Sequence, residues 1–361
     1  MHPLQRCSDQ FVAGGCIRPS VLAQALRFYK PHWRSGLNAV IPVLSGLLLE
    51  PLAWLQTALY SRRLATIQPP DDPVVVIGHW RSGTTYLHQL LASDPAAATA
   101  RNALTVAPQV GLLLKPWIVG FLNRIISAHR PIDAVPWSAL DPQEDELGLV
   151  RLTLDTNMAG VAFPRCYPRC FRRYVLASTA AFRRELARFT KLTWLHDGEG
   201  KTHLVIKNSA HTARIPLLLH LYPKARFVLL KRDPIASIRS LVQVKQRLGG
   251  LMGFQAVPDQ LQQVEETVAA HAELMGAFAA SRAQIPPGRL VEVAYTDLVA
   301  SPITTVERIY RNLGIAGWQQ ARAAIQARAS QARTYRPSPV QLEAAAEQRL
   351  QELIAQQPPH S

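Results

Sequence analysis

Acidic side chains are scarce in this chain: 25 Asp and Glu stand against 40 Lys and Arg, a formal net charge of +15 over 361 residues. A field of that sign suits a nucleic acid, an anionic membrane surface or a highly charged small cofactor. No zinc-finger spacing and no aromatic–basic RNA-binding motif accompanies it, which argues against nucleic acid. Cysteine is scarcer still. Cys7, Cys16, Cys166 and Cys170 cannot make a dense disulfide framework, and Cys166 and Cys170 lack a matching second pair, so isolated thiols are expected rather than zinc. Met1 to Lys30 lacks the order of a secretory signal, a basic segment leading into an apolar one with a small-residue cleavage site. An uninterrupted apolar run is missing as well. Between Ser35 and Ser61 the stretch AVIPVLSGLLLEPLAWLQTALY is broken by Pro42, Glu50 and Pro51, where a spanning helix needs about 20 apolar residues in a row. Two short helices are expected there, packed on the domain, capping a substrate or lying in a membrane interface, with a true span as the remaining alternative.

What is present describes a globular chain with an unusually apolar surface: 48% hydrophobic residues, 18% charged and 27 prolines. The length allows one elaborated domain or two smaller ones. Much of the positive charge sits in one block, Arg165, Arg169, Arg172, Arg173, Arg183, Arg184, Arg188 and Lys191, against the lone acid Glu185. A second apolar region, Pro108 to Ile126, could wall a hydrophobic acceptor pocket or serve as ordinary core.

The chain is organised around VVVIGHWRSGTTYLHQLL, Val74 to Leu91. Val74–Ile77 reads as a buried strand, Gly78 to Gly83 as a turn, and a helix should open near Thr84 with Leu87, Leu90 and Leu91 on its apolar side. Backbone N–H groups converge in such a turn and a helix N-terminus lies behind them, so an anionic group is expected there. The glycine spacing is that of GxxxxGK[ST], but Thr84 stands at the lysine position. A nucleoside triphosphatase needs that lysine, so ATP or GTP hydrolysis is disfavoured. Arg81 supplies the positive side chain instead.

Further on, DPQEDE (Asp141–Glu146) is an acidic patch in a basic protein. It is expected to start a helix at Asp141-Pro142 with Glu144 and Asp145 in the first turn, or to supply a carboxylate that acts as or orients a base. A helical pattern runs from Arg172 to Leu195. HLVIK (His203–Lys207) is a short strand delivering Lys207 to its C-terminal end, before Asn208, Ser209, Ala210 and His211. RFVLLK (Arg226–Lys231) is another, ending at Arg232-Asp233-Pro234, with Ser240 beyond. The alternation predicts a parallel α/β sheet with Gly78–Thr85, Lys207–His211 and Arg232 along its C-terminal edge, the usual ligand edge. In the tail, Arg333 and Arg336 are candidates to return positive charge over a ligand, or simply solvated surface, near a turn at Pro337 and Pro339.

IGHWRSGTTYLHQLL, PQEDE, VIKNSAHTARIPLLLHLYPKARFVLLKRDP and VEVAYTDLVASPITTVERIYRNLGI together resemble the bacterial-type branch of the sulfotransferase superfamily that uses 3′-phosphoadenosine 5′-phosphosulfate (PAPS), over roughly residues 73 to 315. The resemblance implies a P-loop NTPase-like α/β fold, a parallel sheet flanked by helices, with extra apolar N-terminal helices. It implies that Arg81, Ser82, Gly83, Thr84 and Thr85 hold the 5′-phosphosulfate, that Arg232 and Ser240 hold the 3′-phosphate, and that Lys207 and His211 lie next to the transferring sulfuryl group. The family commonly has a serine or threonine and then proline after the lysine, where this chain has Asn208 and Ser209. Some members take a base from a glutamate soon after the first helix, and none occurs in Ala96–Val110. His211 is therefore the first candidate for the base, with Glu144 or Asp145 as alternatives.

The expected division is a helical extension over 1–72 and a sulfotransferase domain over 73–361. The expected acceptor is a small hydrophobic or lipid-like molecule with a hydroxyl, less readily an amine; no metal and no nucleic acid are called for. The expected location is cytoplasmic, with peripheral attachment to the inner face of the membrane open. A P-loop kinase-like phosphotransferase and a non-catalytic nucleotide-binding peripheral membrane protein are the rival readings.

Overall fold

The computed structural model describes residues 3–126, 137–332 and 340–357. Arg333, Arg336 and the turn expected at Pro337 and Pro339 lie outside the described residues. From the N-terminus the elements are α1 (Pro3–Gly14), α2 (Pro19–Phe28), α3 (Gly36–Thr66), β1 (Val74–Ile77), α4 (Thr84–Leu91), β2 (Ala97–Ala98), α5 (Asn102–Thr105) and α6 (Lys115–Ile125). There follow α7 (Asp145–Leu149), α8 (Met158–Ala162), α9 (Tyr167–Phe171), α10 (Ala180–Asp197), β3 (His203–Lys207), α11 (Ile215–Leu221), β4 (Arg226–Lys231) and α12 (Pro234–Met252). The last part holds α13 (Gln260–Arg282), β5 (Leu290–Ala294), α14 (Tyr295–Ala300), α15 (Pro302–Leu313), α16 (Trp318–Ala332) and α17 (Ala344–Ala355).

Two compact units share the chain. One gathers Met1–Pro69, Ala100–Asp197 and Val244–Pro258; the other gathers Pro70–Thr99, Gly198–Gln243 and Asp259–Ser361. The first unit thus takes in the apolar region Pro108 to Ile126 and the basic block Arg165 to Lys191 as well as the N-terminal stretch.

The second unit is built on a five-stranded sheet in the order β2-β3-β1-β4-β5, parallel at every pairing. All four residues of β1 are fully buried, as a central strand covered on both faces must be. Val74 and Val76 point to one face with Val228, Leu230, Val291 and Val293, and Leu87, Leu90, Ile309 and Ile325 from the helices close over them. Tyr310 of α15 donates its hydroxyl to Asp94 Oδ2 at 2.7 Å, while Asp94 Oδ1 caps the Ala96 N–H at 2.8 Å ahead of β2. α17 is pinned to α12 by Arg239, whose guanidinium donates to both carboxylate oxygens of Glu347. That pairing holds the Glu347 carboxyl below its usual range.

The first unit is helical, and a buried arginine ties its pieces together. Arg151 donates to the carbonyls of Val12 (2.6 Å), Val106 (3.1 Å) and Leu147. Burial depresses this guanidinium to about 10, still charged at neutral pH. Three of its five donors thereby satisfy backbone acceptors from α1, the end of α5 and α7.

Three local expectations are corrected here. The Ser35–Ser61 stretch is one helix, α3, running through Pro42 and Pro51. Each internal proline forfeits a ladder bond, roughly 3 kcal/mol in isolation. Contacts on the inner face offset this: a Cβ on Gly46 would stand 2.3 Å from the Ile17 carbonyl, and buried Gln56 donates to Pro108 O and accepts from the N–H groups of Leu112 and Leu113. α3 is the one helix among the described residues long and apolar enough to cross a membrane. The acidic patch also behaves differently. α7 opens at Asp145 with Glu144 at its N-cap, whereas Asp141 turns its carboxylate onto the Ser138 N–H and Pro142 bridges Arg101. Likewise the pattern from Arg172 is split: a π-turn covers Arg172–Leu176, and Thr179 then caps α10 by accepting the Phe182 N–H.

Replacing Tyr310 by Phe keeps the ring and removes one buried charge-assisted bond. Its unfolding free energy should fall by about 1–3 kcal/mol. Urea denaturation followed by circular dichroism measures this, and an unchanged midpoint would show that Asp94 is held adequately by its other partners.

Candidate active site

The strand order reverses at β1: the chain leaves it for β2 and β3 on one side and returns to β4 and β5 on the other. That switch point leaves a crevice at the C-terminal strand ends, where open α/β sheets bind ligands. β1 ends there in the turn Gly78–Gly83, β3 ends in Lys207, and β4 ends just before Arg232.

The turn needs three left-handed residues, Gly78 (φ 136°), Arg81 (φ 67°) and Gly83 (φ 97°). Space excludes a side chain at both glycines. A Cβ on Gly78 would lie 2.5 Å from the Leu230 carbonyl, and one on Gly83 would lie 2.5 Å from the Tyr295 ring. Arg81 carries a strain of about 1–2 kcal/mol for its backbone conformation. Its surroundings hold it there: Arg81 Nε donates to Ser240 Oγ at 3.0 Å, and Arg232 Nη1 donates to the Arg81 carbonyl at 2.9 Å. The Arg232 guanidinium also lies over the Tyr295 ring, 4.4 Å from its centroid. Thus Arg81, Arg232 and Ser240, separated by long stretches of chain, form one network.

Lys207 is buried at the end of β3, in register with Val76 of β1. Asn208 then caps the following 3₁₀ turn, Ser209–Ala213, through an Oδ1 bond from the Ala210 N–H at 2.9 Å. The departure from the family pattern at Asn208 and Ser209 is thus met by a capped turn. Thr212 in that turn accepts the Gly78 N–H at 2.8 Å, fastening the lysine segment to the Gly78–Gly83 turn. His211 is fully buried, and its Nδ1 lies 3.3 Å from Arg214 Nη1. A guanidinium only donates, so Nδ1 is the acceptor and the ring proton sits on Nε2. Accepting a proton at Nε2 would require that contact to open and the tautomer to change.

Arg81, Ser82, Gly83, Thr84, Thr85, Lys207, His211, Arg232 and Ser240 all belong to the second unit; Glu144 and Asp145, the alternative bases, are positioned by α7 of the first. Sequence reading passed over Thr212, Arg214, Tyr295 and a buried imidazole pair. His79 of the loop and His271 of α13 meet edge-to-face with ring centroids 4.8 Å apart. Burial first, and His271 second, push His79 well below the ordinary histidine value, so it is neutral at pH 7. Its place between Gly78 and Arg81 was the only available signal.

The chemistry of this set suits an anion. Lys207, Arg81, Arg232 and hydroxyl donors are carried at neighbouring C-terminal strand ends, beside a helix N-terminus whose N-cap, Gly83, has no side chain to occupy the first N–H groups. A phosphosulfate with a second phosphate fits these residues.

Comparison with known proteins identifies the family and the fold. The profile of the family described as "Sulfotransferase family" matches residues 73–320. The chain is 28% identical over 288 residues to proteins of Mycobacterium bovis and Mycobacterium tuberculosis named omega-hydroxy-beta-dihydromenaquinone-9 sulfotransferase Stf3, covering 78% of this chain and 72% of theirs. Its fold resembles the crystal structure of sulfotransferase STF1 from Mycobacterium tuberculosis H37Rv, with a TM-score of 0.68, 20% identity, and coverage of 95% of this chain and 92% of that one. STF9 from Mycobacterium avium gives a TM-score of 0.65 at 18% identity, covering 94% and 95%. At those identities the solved structures speak for the fold.

The buried imidazoles make stability depend on pH. His79 binds its proton less readily folded than unfolded, so its contribution is complete above the ordinary value of 6.5 and is lost as pH falls below it. His203, lowered chiefly by burial, acts in the same direction. The urea midpoint should therefore drop on acidification from pH 7.5 to 5.5, and His79→Asn should shallow that slope. A variant with the wild-type slope would place the pH dependence elsewhere.

Proposed function

The chain belongs to the sulfotransferase family and is a PAPS-dependent enzyme, and from that premise we propose that it sulfates a hydroxyl, in preference to an amine, on a small hydrophobic or lipid-like acceptor. The observation that carries the reading is the linked set Arg81–Ser240 and Arg232–Arg81 beside the Gly78–Thr85 loop and Lys207. The loop is read as a P-loop variant in which Thr84 replaces the lysine that a triphosphate would need. The hydroxyl preference is supported by the two mycobacterial relatives, whose names specify an omega-hydroxy-beta-dihydromenaquinone. We read the protein as a cytoplasmic enzyme, with peripheral attachment to the inner face of the membrane as the way an apolar acceptor would reach it.

When bound, PAPS supplies a sulfuryl group and a bisphosphate leaving group. Arg81 and the N–H groups at Ser82–Thr85 would hold the 5′-phosphosulfate, and Arg232 with Ser240 the 3′-phosphate. Lys207, at the end of β3, would neutralise charge on the leaving phosphate; fixed donors of this kind cost no reorganisation during reaction. His211 is assigned as base, taking the acceptor proton at Nε2 once the Arg214 contact gives way. Glu144 or Asp145 takes that role if His211 does not. Arg214 is then a positioning residue that sets the resting tautomer.

Transfer of radiolabelled sulfate from PAPS to lipid, steroid, phenolic and carbohydrate alcohols tests the reaction class. Lys207→Ala should lower kcat about 10²–10³-fold, the worth of one preorganised donor, while Arg232→Ala should chiefly weaken affinity for adenosine 3′,5′-bisphosphate. If Arg232→Ala binds that nucleotide normally, the 3′-phosphate assignment is wrong. A bell-shaped pH–rate profile should lose its acidic limb in His211→Ala; retention of that limb would move the base to Glu144 or Asp145.

A further inference from the structure

α3 poses a problem that the reaction does not solve. Its inner face is packed within the first unit through Pro42, Gly46, Ala53 and Gln56, yet its outer face is also apolar. Leu44, Leu47, Leu48, Trp54, Leu55 and Leu59 are exposed, Leu48 by 75%. A helix apolar all round normally lies in a protein core or a membrane; in the most apolar window of α3 only 17% is buried. Alongside it, α6 buries Ile118 and Leu122 in the same cluster as Ala53 and turns Trp117 and Phe121 outward. Contiguous exposed apolar surface on this scale marks an interaction site.

Charge identifies the partner. An open groove of about 760 Å³ runs beside the second half of α3 and is lined by Arg18, Trp54, Leu64, Arg184, Arg188 and Lys191 among others. Lys191 Nζ donates to the Leu64 carbonyl at 2.9 Å, fixing α10 to the end of α3, while Arg62 and Arg63 stand exposed on that same last stretch. Six basic side chains thus border the apolar face. The acids beside them are already engaged, Glu50 by Arg18 and Glu185 by Arg184 and Arg188. A second copy of so basic a chain offers no matching negative surface there; anionic phospholipid offers both the headgroup charge and the apolar layer beneath it.

We propose that the outer face of α3, with Trp117 and Phe121, docks into the interfacial layer of an anionic phospholipid bilayer, the groove of Arg18, Arg184, Arg188 and Lys191 receiving lipid phosphates. The helix lies in the plane of the surface and does not cross it: its inner face is committed to protein, and only its outer face is available to lipid. This rests on the acceptor reading above for its purpose, bringing the enzyme to substrates that live in the bilayer, but not for its evidence.

Flotation of the full chain with vesicles of equimolar phosphatidylcholine and phosphatidylglycerol tests it. Wild type should float with these vesicles, far less with pure phosphatidylcholine, and less at high salt, where surface charge is screened. Leu44→Glu with Leu48→Glu should abolish flotation. Arg184→Gln with Arg188→Gln should weaken it roughly thirtyfold, the worth of two basic side chains at an anionic surface. Both double variants should bind adenosine 3′,5′-bisphosphate as wild type does, which controls for folding. Three results would overturn the proposal: a wild type that stays with the soluble fraction, a Leu44→Glu/Leu48→Glu protein that still floats, or a wild-type dimer in sedimentation velocity that those leucine changes dissolve. Flotation without sulfuryl transfer to any alcohol supports the surface and overturns the functional reading alone.

Discussion

One backbone reversal, between Gly78 and Thr84, is the constraint on which the rest of the active site depends. The chain has to leave the central strand of a sheet buried on both faces and begin a helix almost at once. The left-handed backbone at Gly78, Arg81 and Gly83 makes that possible. The space a side chain would need at the two glycines is taken by the Leu230 carbonyl and the Tyr295 ring, so the turn is enforced by its surroundings as well as permitted by its residues. Thr212 then fastens the lysine segment to the turn, and Arg232 fastens the strand beyond it. A change in the turn would therefore be felt at Lys207 and Arg232 together.

Gathering Arg81, Lys207, Arg214 and Arg232 in one unit sets like charges near one another before any anion arrives. The fold moderates this with neutral acceptors: a carbonyl and an aromatic face for Arg232, a hydroxyl for Arg81, an imidazole nitrogen for Arg214. His79 fits the same logic, since burial and the neighbouring His271 keep its imidazole neutral.

The first unit solves a different problem. Arg151 gathers its segments through backbone carbonyls, and α3 gives it an apolar surface on the outside as well as the inside. Pro42 and Pro51 survive within that helix because Gly46 and Gln56 lock its inner face to neighbouring chain. The outer face has no such partner among the described residues, and the basic rim around it indicates what kind of surface would suit it.

Local patterns determined much of this by themselves. Four consecutive β-branched residues announced β1, a glycine interval announced the turn from Gly78 to Gly83, and short apolar runs placed Lys207 and Arg232 at strand ends, because burial and turn geometry act over a few neighbouring residues. Tertiary structure alone decided the rest. That α3 is continuous depends on bonds from Gln56 to Pro108 and Leu112; that α7 opens at Asp145 depends on Pro142 bridging Arg101. Thr212, Tyr295 and His271 joined the site through contacts with residues far away in sequence, and Arg214 set the His211 tautomer through a contact that only the folded 3₁₀ turn creates. Such contacts leave no period in the chain, since each depends on which residue another segment brings alongside it.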